Sequence, residues 1–246
     1  MIYICSDIHG LYDRYIRLLD TIQLKDTDTL YVLGDAIDRG PDGIRILQDM
    51  MQRKNVEFFM GNHEHMMLMY LFGFDPTAWM LDCNGGKTTF EDFRQLSETE
   101  QAEIIAYLNS SWIVKILKIN GKRYSLSHIG IIDTDTDKRA DFLSKETDVR
   151  DLQKMVWGMS PYDLEKILSY PEELCPTVFV TGHIVTRRYS FGFDEDEVVY
   201  SDFDNGCRYV DIDCGCALSD GSGALSCLKL DEETGILDLD HPLYIR

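Results

Sequence analysis

The sequence predicts an α/β fold, and three observations predict it. Short apolar runs that read as strands, Ile2-Tyr3-Ile4, Leu30-Tyr31-Val32-Leu33 and Val56 to Met60, are each followed by a stretch of helical periodicity. Each run opens into polar, glycine-bearing residues: Asp7-Ile8-His9-Gly10, then GDAIDRG from Gly34 to Gly40, then Gly61-Asn62-His63-Glu64. From Ile113 onward the pattern turns mostly to strands. Repeated strand–loop–helix units form parallel sheets and place ligands outside the carboxyl ends of the strands.

The elements follow in order. Residues 2–6 read as a buried strand that delivers Asp7 and His9, two apart, so an extended backbone would point both the same way. A carboxylate and an imidazole on one face make half a site for a borderline transition metal. A helix is predicted from about Leu11 to Thr21, with Leu11, Tyr15, Leu18, Leu19 and Ile22 on its apolar side. The strand Thr29 to Leu33 delivers GDAIDRG. There Asp35 can bridge two cations, Asp38 can orient a proton-transfer group, and Arg39 offers a planar fork for phosphate or carboxylate. Pro41 is placed in the first turn of the next helix, whose core face is Ile44, Ile46, Leu47, Met50 and Met51. The third strand leads into Gly61-Asn62-His63-Glu64. The run Met66-Met67-Leu68-Met69 reads as helix core, and His65 as an exposed helix residue beside the site.

Asn84-Gly85-Gly86-Lys87-Thr88-Thr89 reads as a loop able to line a substrate pocket, too short and unpatterned for a P-loop. Ser97-Glu98-Thr99-Glu100 is a capping box opening a helix to about Leu108. Ile113 to Ile119 and Arg123 to Ser127 flank Asn120-Gly121, a pair suited to a two-residue hairpin, and the second strand ends at His128. Asp133, Asp135 and Asp137 alternate as in a calcium loop. Lys138 and Ser144 stand where that loop needs glycine and glutamate, so the run reads as a solvated loop. Helices are predicted over 144–157 and 161–169. A strand from Thr177 to Val180 ends in Thr181-Gly182-His183. Strands are then expected at Arg188 to Phe193, Val198 to Tyr200, Arg208 to Ile212 and Ala224 to Leu230. Asp194-Glu195-Asp196-Glu197 reads as a charged hairpin tip, and Asp231 to Gly235 as a turn.

The 246 residues show no linker, repeat or low-complexity tract, so a single domain over 1–246 is expected. Hydrophobic content of 44% and charged content of 27% suit a soluble protein, and no apolar run approaches the ~20 residues of a membrane span. The N-terminus enters a strand pattern with no basic flank, so the reading is cytoplasmic. A net charge of −19 argues against nucleic acid or an anionic membrane as partner. The seven cysteines are scattered and read as reduced thiols; Cys214 and Cys216 lack a second pair at zinc-knuckle spacing.

Five of the six histidines precede residue 184, and four of them, His9, His63, His128 and His183, sit at predicted strand ends beside Asp7, Asp35, Asp38 and Asn62. With GDAIDRG, Gly61-Asn62-His63-Glu64, Gly182-His183, Asn84-Gly85-Gly86 and the tail Asp211 to Cys216, this pattern resembles the calcineurin-like metallophosphoesterase superfamily. Within it, the chain looks like serine/threonine protein phosphatases of the bacterial and phage-lambda type. The resemblance implies a four-layer α/β/β/α sandwich of two mixed sheets flanked by helices. It implies a binuclear centre in which Asp7, His9 and Asp35 hold one metal, with Asp35 bridging to a second held by Asn62, His128 and His183. Oxygen and imidazole ligands without thiolate suit manganese, or iron with manganese or zinc, rather than calcium. Such a pair generates a hydroxide for in-line attack on phosphate. His63 would protonate the leaving alkoxide with Asp38 orienting its ring, and Arg39 would bind the phosphate.

The family commonly has a phosphate-binding arginine two residues after a tryptophan, whereas here Trp157-Gly158 is followed by Met159. Arg150, Arg187 and Arg188 are the candidates to replace it. The leading expectation is a metal-dependent phosphatase acting on phosphoserine or phosphothreonine and on small phosphomonoesters. The alternatives are a symmetrical bis(5'-nucleosyl)-tetraphosphatase, which would need more positive charge, and a non-catalytic phospho-binding scaffold, which would need no general acid. The sequence leaves the oligomeric state open.

Overall fold

Period-two alternation decides how this chain layers. The strands, in chain order, are β1 (Ile2–Cys5), β2 (Thr29–Val32), β3 (Val56–Phe58), β4 (Trp112–Ile119), β5 (Lys122–Ser127), β6 (Lys138–Arg139), β7 (Thr177–Thr181), β8 (Val199–Asp202), β9 (Arg208–Asp211), β10 (Leu225–Asp231) and β11 (Ile236–Ile245). The helices are α1 (Tyr12–Ile22), α2 (Gly43–Gln52), α3 (Asn62–Leu71), α4 (Gly86–Phe93), α5 (Glu98–Ser110), α6 (Val149–Trp157) and α7 (Leu164–Leu168). They come from a computed structural model that describes residues 1–130, 135–157, 164–188, 197–218 and 220–246. In β1, Ile2 and Ile4 enter one apolar cluster while Cys5 enters another; in β2, Tyr31 joins the first and Leu30 and Val32 the second. A sheet apolar on both faces must be covered on both. Each buried aliphatic side chain is worth roughly 1.5–3 kcal/mol. The whole range of strand propensity is about 1 kcal/mol, so burial fixes which face points where.

One sheet has the order β11-β10-β1-β2-β3, with β1, β2 and β3 mutually parallel and β10 and β11 antiparallel to their neighbours. The other runs β6-β4-β5-β7-β9-β8, with β5, β7 and β9 parallel. Ile4, Leu33 and Phe59 meet Tyr124, Leu126, Val180 and Val210 between the sheets. Outside the first sheet, Leu18 and Leu19 of α1 and Ile46 and Leu47 of α2 pack with Leu30, Val32 and Phe58. Outside the second, Ile167 and Tyr170 pack on Phe179 and Tyr209. The layers are therefore helix, sheet, sheet, helix, as the resemblance implies. Among the described residues no helix is long and apolar enough to cross a membrane.

Several elements fall as read. Asn120 and Gly121 carry φ of 48° and 75° between β4 and β5, and Ser97 and Glu100 exchange hydrogen bonds at the start of α5. Asp135 and Asp137 are exposed and outside the regular elements, as read, and Asp137 also accepts from the Ile116 N–H at 2.8 Å and Lys115 Nζ at 2.6 Å. Other readings need correction. Pro41 lies outside α2, which begins at Gly43 after Asp42. The glycine loop is shorter than expected, because Gly86 already begins α4. His65 is buried, not exposed: its ring packs edge-on against Phe142 at 5.8 Å and its Nε2 lies 3.3 Å from the Val149 carbonyl oxygen. The helix expected over 144–157 begins only at Val149. Asp133, Gly158-Met159-Ser160-Pro161, most of the strand expected at Arg188 to Phe193 and most of the acidic tip at Asp194 to Glu197 lie outside the described residues.

Candidate metal centre

The parallel strands of both sheets deliver polar residues from their carboxyl ends to one place. Asp7 and His9 follow β1, Asp35 follows β2, Asn62 and His63 form the first turn of α3 after β3, His128 follows β5, and His183 follows β7. The expected extended backbone at Asp7 and His9 is not what brings them together. Both are left-handed, with φ of 54° and 50°, and so are Asp35 at 51°, Asp38 at 69°, Arg39 at 64° and His183 at 74°. Six of the nine described non-glycine residues at positive φ thus belong to this cluster. Each such residue costs on the order of 1–3 kcal/mol and persists only where surrounding structure imposes it. Gly61 and Gly182 explain the close approach: a Cβ at Gly61 would lie 2.1 Å from Asp35 Oδ1, and one at Gly182 would lie 2.2 Å from Asp7 Oδ2.

Asp35 stands at the middle. His9 Nε2 lies 3.7 Å and His63 Nε2 3.9 Å from its Oδ2, while His128 Nε2 lies 3.4 Å from its Oδ1. Asn62 Oδ1 is 3.0 Å from His128 Nε2 and 2.9 Å from His183 Nδ1. Asp7 Oδ1 is 3.9 Å from His9 Nε2. Candidate ligand atoms of His9, Asp35 and His63 lie within 4.8 Å of one another, as do those of Asp35, His128 and His183, so Asp35 is common to both groups. The far ring nitrogens are engaged: His9 Nδ1 with the Ile37 carbonyl at 3.1 Å and His128 Nδ1 with the Leu33 carbonyl at 2.6 Å. That leaves both Nε2 atoms facing Asp35, the arrangement by which metal-ligating histidines are oriented.

Two neighbouring groups have a different character. His63 Nδ1 lies 2.7 Å from Asp38 Oδ2, and Arg39 Nη2 lies 3.4 Å from His63 Nε2. A guanidinium beside Nε2 disfavours a cation there, which separates His63 from the other imidazoles. Glu64 has no role assigned from its motif, yet its buried side chain accepts four backbone N–H bonds, from Asp35 (3.0 Å), Ala36 (2.9 Å), Ile37 (3.3 Å) and Gly61 (2.9 Å). It binds the GDAIDRG turn to the start of α3. The available signal was glutamate three residues after Gly61 at a helix start.

The electrostatics fit cations. Burial pushes the Asp35 carboxyl up, but at the acidic pH where it titrates the protonated imidazoles of His128, His63, His9 and His183 outweigh it and hold the group well below the carboxylate range. Burial pushes His9, His128 and His183 down, His183 to about 3 with His128 beside it, so these rings are neutral and carry ligand lone pairs. Burial, Asp213 and Asp35 push Asp7 up, and its Oδ1 is a buried oxygen with no hydrogen-bond partner. A buried orphan carboxylate oxygen beside a second carboxylate and neutral imidazoles is the donor set a divalent ion satisfies. Burial opposes His63's charged form, but Asp35 and Asp38 prevail and raise it.

A cavity of about 780 Å³ opens onto the cluster, lined by Asp35, Arg39, Asn62, His63 and His183 together with Asp82, Asn84, Gly85, Trp157 and Leu218. Asn84 and Gly85 thus line a pocket as read. Arg187 does not line it, and its guanidinium engages Asp220 at 3.2 Å and Ser222 Oγ at 2.5 Å.

A family model described as calcineurin-like phosphoesterase matches residues 1–212. A symmetrical bis(5'-nucleosyl)-tetraphosphatase of Buchnera aphidicola subsp. Schizaphis graminum is 30% identical over 143 residues, 56% of this chain and 48% of that protein. The chain therefore spans about half the length of the relatives of this kind that it matches. Among solved structures, a serine/threonine phosphatase from Saccharomyces cerevisiae aligns with a TM-score of 0.53 and 15% identity over 96% of this chain and 78% of that one. A cold-active protein-tyrosine phosphatase from a Shewanella aligns at 0.52 and 18%, covering 100% and 80%. At such identities these two likenesses concern the fold alone.

Proposed function

This chain belongs to the calcineurin-like phosphoesterase family, and from that premise we propose that it is a metal-dependent phosphomonoesterase whose leading substrates are phosphoserine and phosphothreonine. Asp7, His9 and Asp35 would hold one divalent ion, and Asp35, Asn62, His128 and His183 a second, with manganese or an iron-containing pair matching the ligands. Two ions there would supply activation of water near neutral pH and offset the charge on the phosphoryl oxygens. The chain's own residues do the rest. Arg39 turns its guanidinium toward the same space as His63 Nε2 and is suited to two phosphoryl oxygens. His63 gives a proton from Nε2 to the departing ester oxygen, while Asp38 holds Nδ1 and so aims the ring.

The observation carrying this reading is the 2.7 Å contact of His63 with Asp38 beside the cluster. An alkoxide leaves poorly without a proton, so an oriented imidazole has a use in cleaving a serine or threonine phosphate. A phospho-binding scaffold has no use for it. The second reading, symmetrical cleavage of a dinucleoside tetraphosphate, is favoured by the named activity of the Buchnera relative. Two features weigh against it. A nucleoside diphosphate leaves without protonation, and Arg39 is the one arginine or lysine among the described residues lining the cavity, which also presents Asp82. The test is turnover of a phosphoserine peptide and of the dinucleotide by wild type and His63→Asn with manganese. We expect peptide hydrolysis that falls roughly 10²–10⁴-fold in the variant. Hydrolysis of the dinucleotide alone, untouched by the substitution, would replace this reading with the second.

A further inference from the structure

We infer that Trp79 is a positioning residue for the proton donor: its indole N–H fixes the Asp38 carboxylate that aims His63. The inference rests on the role given to His63 above. Trp79 is fully buried, and its Nε1 lies 2.8 Å from Asp38 Oδ2, the oxygen that also meets His63 Nδ1 at 2.7 Å. Asp38 Oδ1 is buried without a partner, so those two contacts alone set the plane of the carboxylate. The backbone on which it sits is held separately, by the Asp38 N–H donated to Thr89 Oγ1 at 3.0 Å. A tryptophan serving only to fill space needs no particular direction for its N–H. This one is aimed at the single carboxylate behind the acid.

The surroundings are built to hold that aim. Tyr70 and Phe90 meet the indole edge-on at 5.5 and 6.1 Å, and Asn84 Nδ2 closes the turn by donating to the Ala78 carbonyl at 2.7 Å. A Cβ at Gly86 would lie 2.5 Å from Trp79 Cδ1 and 2.6 Å from its Nε1, so a side chain there would push the indole off Asp38. A Cβ at Gly85 would strike the Arg39 backbone nitrogen at 2.6 Å. The two glycines therefore seat the tryptophan and the arginine, and Gly85 also borders the cavity. Without the indole N–H, the carboxylate keeps one partner and can turn about its last bond, carrying His63 Nε2 away from the ester oxygen.

The test compares wild type, Trp79→Phe, and a protein with 3-benzothienylalanine at position 79, which exchanges only the indole N–H for sulfur and keeps the ring's size. Each is assayed as manganese-loaded protein on an alkyl phosphate and on p-nitrophenyl phosphate, whose leaving group departs without a proton. Loss of the N–H is expected to lower kcat on the alkyl ester by roughly 10–100-fold, with KM, metal content and turnover of the aryl ester unchanged. With diamagnetic zinc in place of manganese and no substrate present, the downfield Nδ1–H resonance of His63, identified by its loss in His63→Asn, is expected to move or broaden in both position-79 proteins. Equal losses on the two esters, or an unmoved resonance, would reduce Trp79 to packing. If His63→Asn itself gained no preference for the aryl ester over the alkyl ester, the proton-donor role would fail, while the resonance would still decide the Trp79 contact.

Discussion

Asp35 is the residue common to the two groups of candidate ligand atoms. It is buried, left-handed, and placed so that Oδ2 faces His9 and Oδ1 faces His128. Its N–H and those of the next two residues are held by Glu64, and its Oδ1 accepts the His63 N–H at 3.0 Å. An amide keeps that volume and one acceptor oxygen but loses the charge that makes a shared ligand tolerable between two cations. Asp35→Asn is therefore expected to lower the occupancy of both metals together, read by elemental analysis after dialysis against limiting manganese. Loss of one equivalent with full retention of the other would show that Asp35 serves a single ion.

The element that concentrates most of the chemistry is α3. Its first four residues face four tasks: Asn62 toward His128 and His183, His63 toward Asp38, Glu64 toward the GDAIDRG backbone, and His65 toward Val149 at the start of α6. Burial pushes His65 down to about 4, below its ordinary 6.5. The unfolded chain thus takes up the proton first as pH falls. His65 contributes stability that is full above about 6.5 and is lost as pH drops toward 4. Between pH 7 and pH 5, metal-free wild type is expected to lose about 2 kcal/mol more unfolding free energy than metal-free His65→Gln. Urea titrations at the two pH values measure it, and equal losses would mean that the ring does not titrate with folding. The same helix shows what the sequence could tell. Its first two residues were legible because polar ligands after an apolar run have few structural excuses, and Met66-Met67-Leu68 was legible as core. The burial of His65 was not, because Phe142, which covers it, arrives from far along the chain. Nor was the link from Trp79 to Asp38, because no local pattern says where an indole N–H points. The convergence of Asp7 and His9 was expected from alternation but arises from left-handed backbone, which a residue list does not display.

For the molecule as a whole, the centre is a joint between two sheets that elsewhere meet through apolar contacts and a few hydrogen bonds, such as Trp112 Nε1 to Glu57 at 2.7 Å. Asp7, His9, Asp35 and Asn62 come from the first sheet's strand ends, and His128 and His183 from the second's. Without cations, Asp213, which follows β9 of the second sheet, repels Asp7 across that joint, Asp35 beside Asp7 adds to the repulsion, and the whole chain carries −19. Ions held by residues of both sheets would bind only the folded state, so their binding free energy would add to stability. An ion at 100 times its Kd contributes about 2.7 kcal/mol. For a chain of this size that corresponds to a rise in Tm of about 2–4 °C per kcal/mol. Manganese added to chelator-stripped protein is therefore expected to raise the melting temperature by several degrees per occupied site. His63→Asn should keep that rise, because His63 is assigned to the proton and not to an ion, whereas Asp35→Asn should lose most of it. Calorimetry on the three proteins with and without manganese decides the matter. Identical melting of stripped and loaded wild type would remove the metals from the joint, and a rise lost equally in both variants would make His63 a ligand.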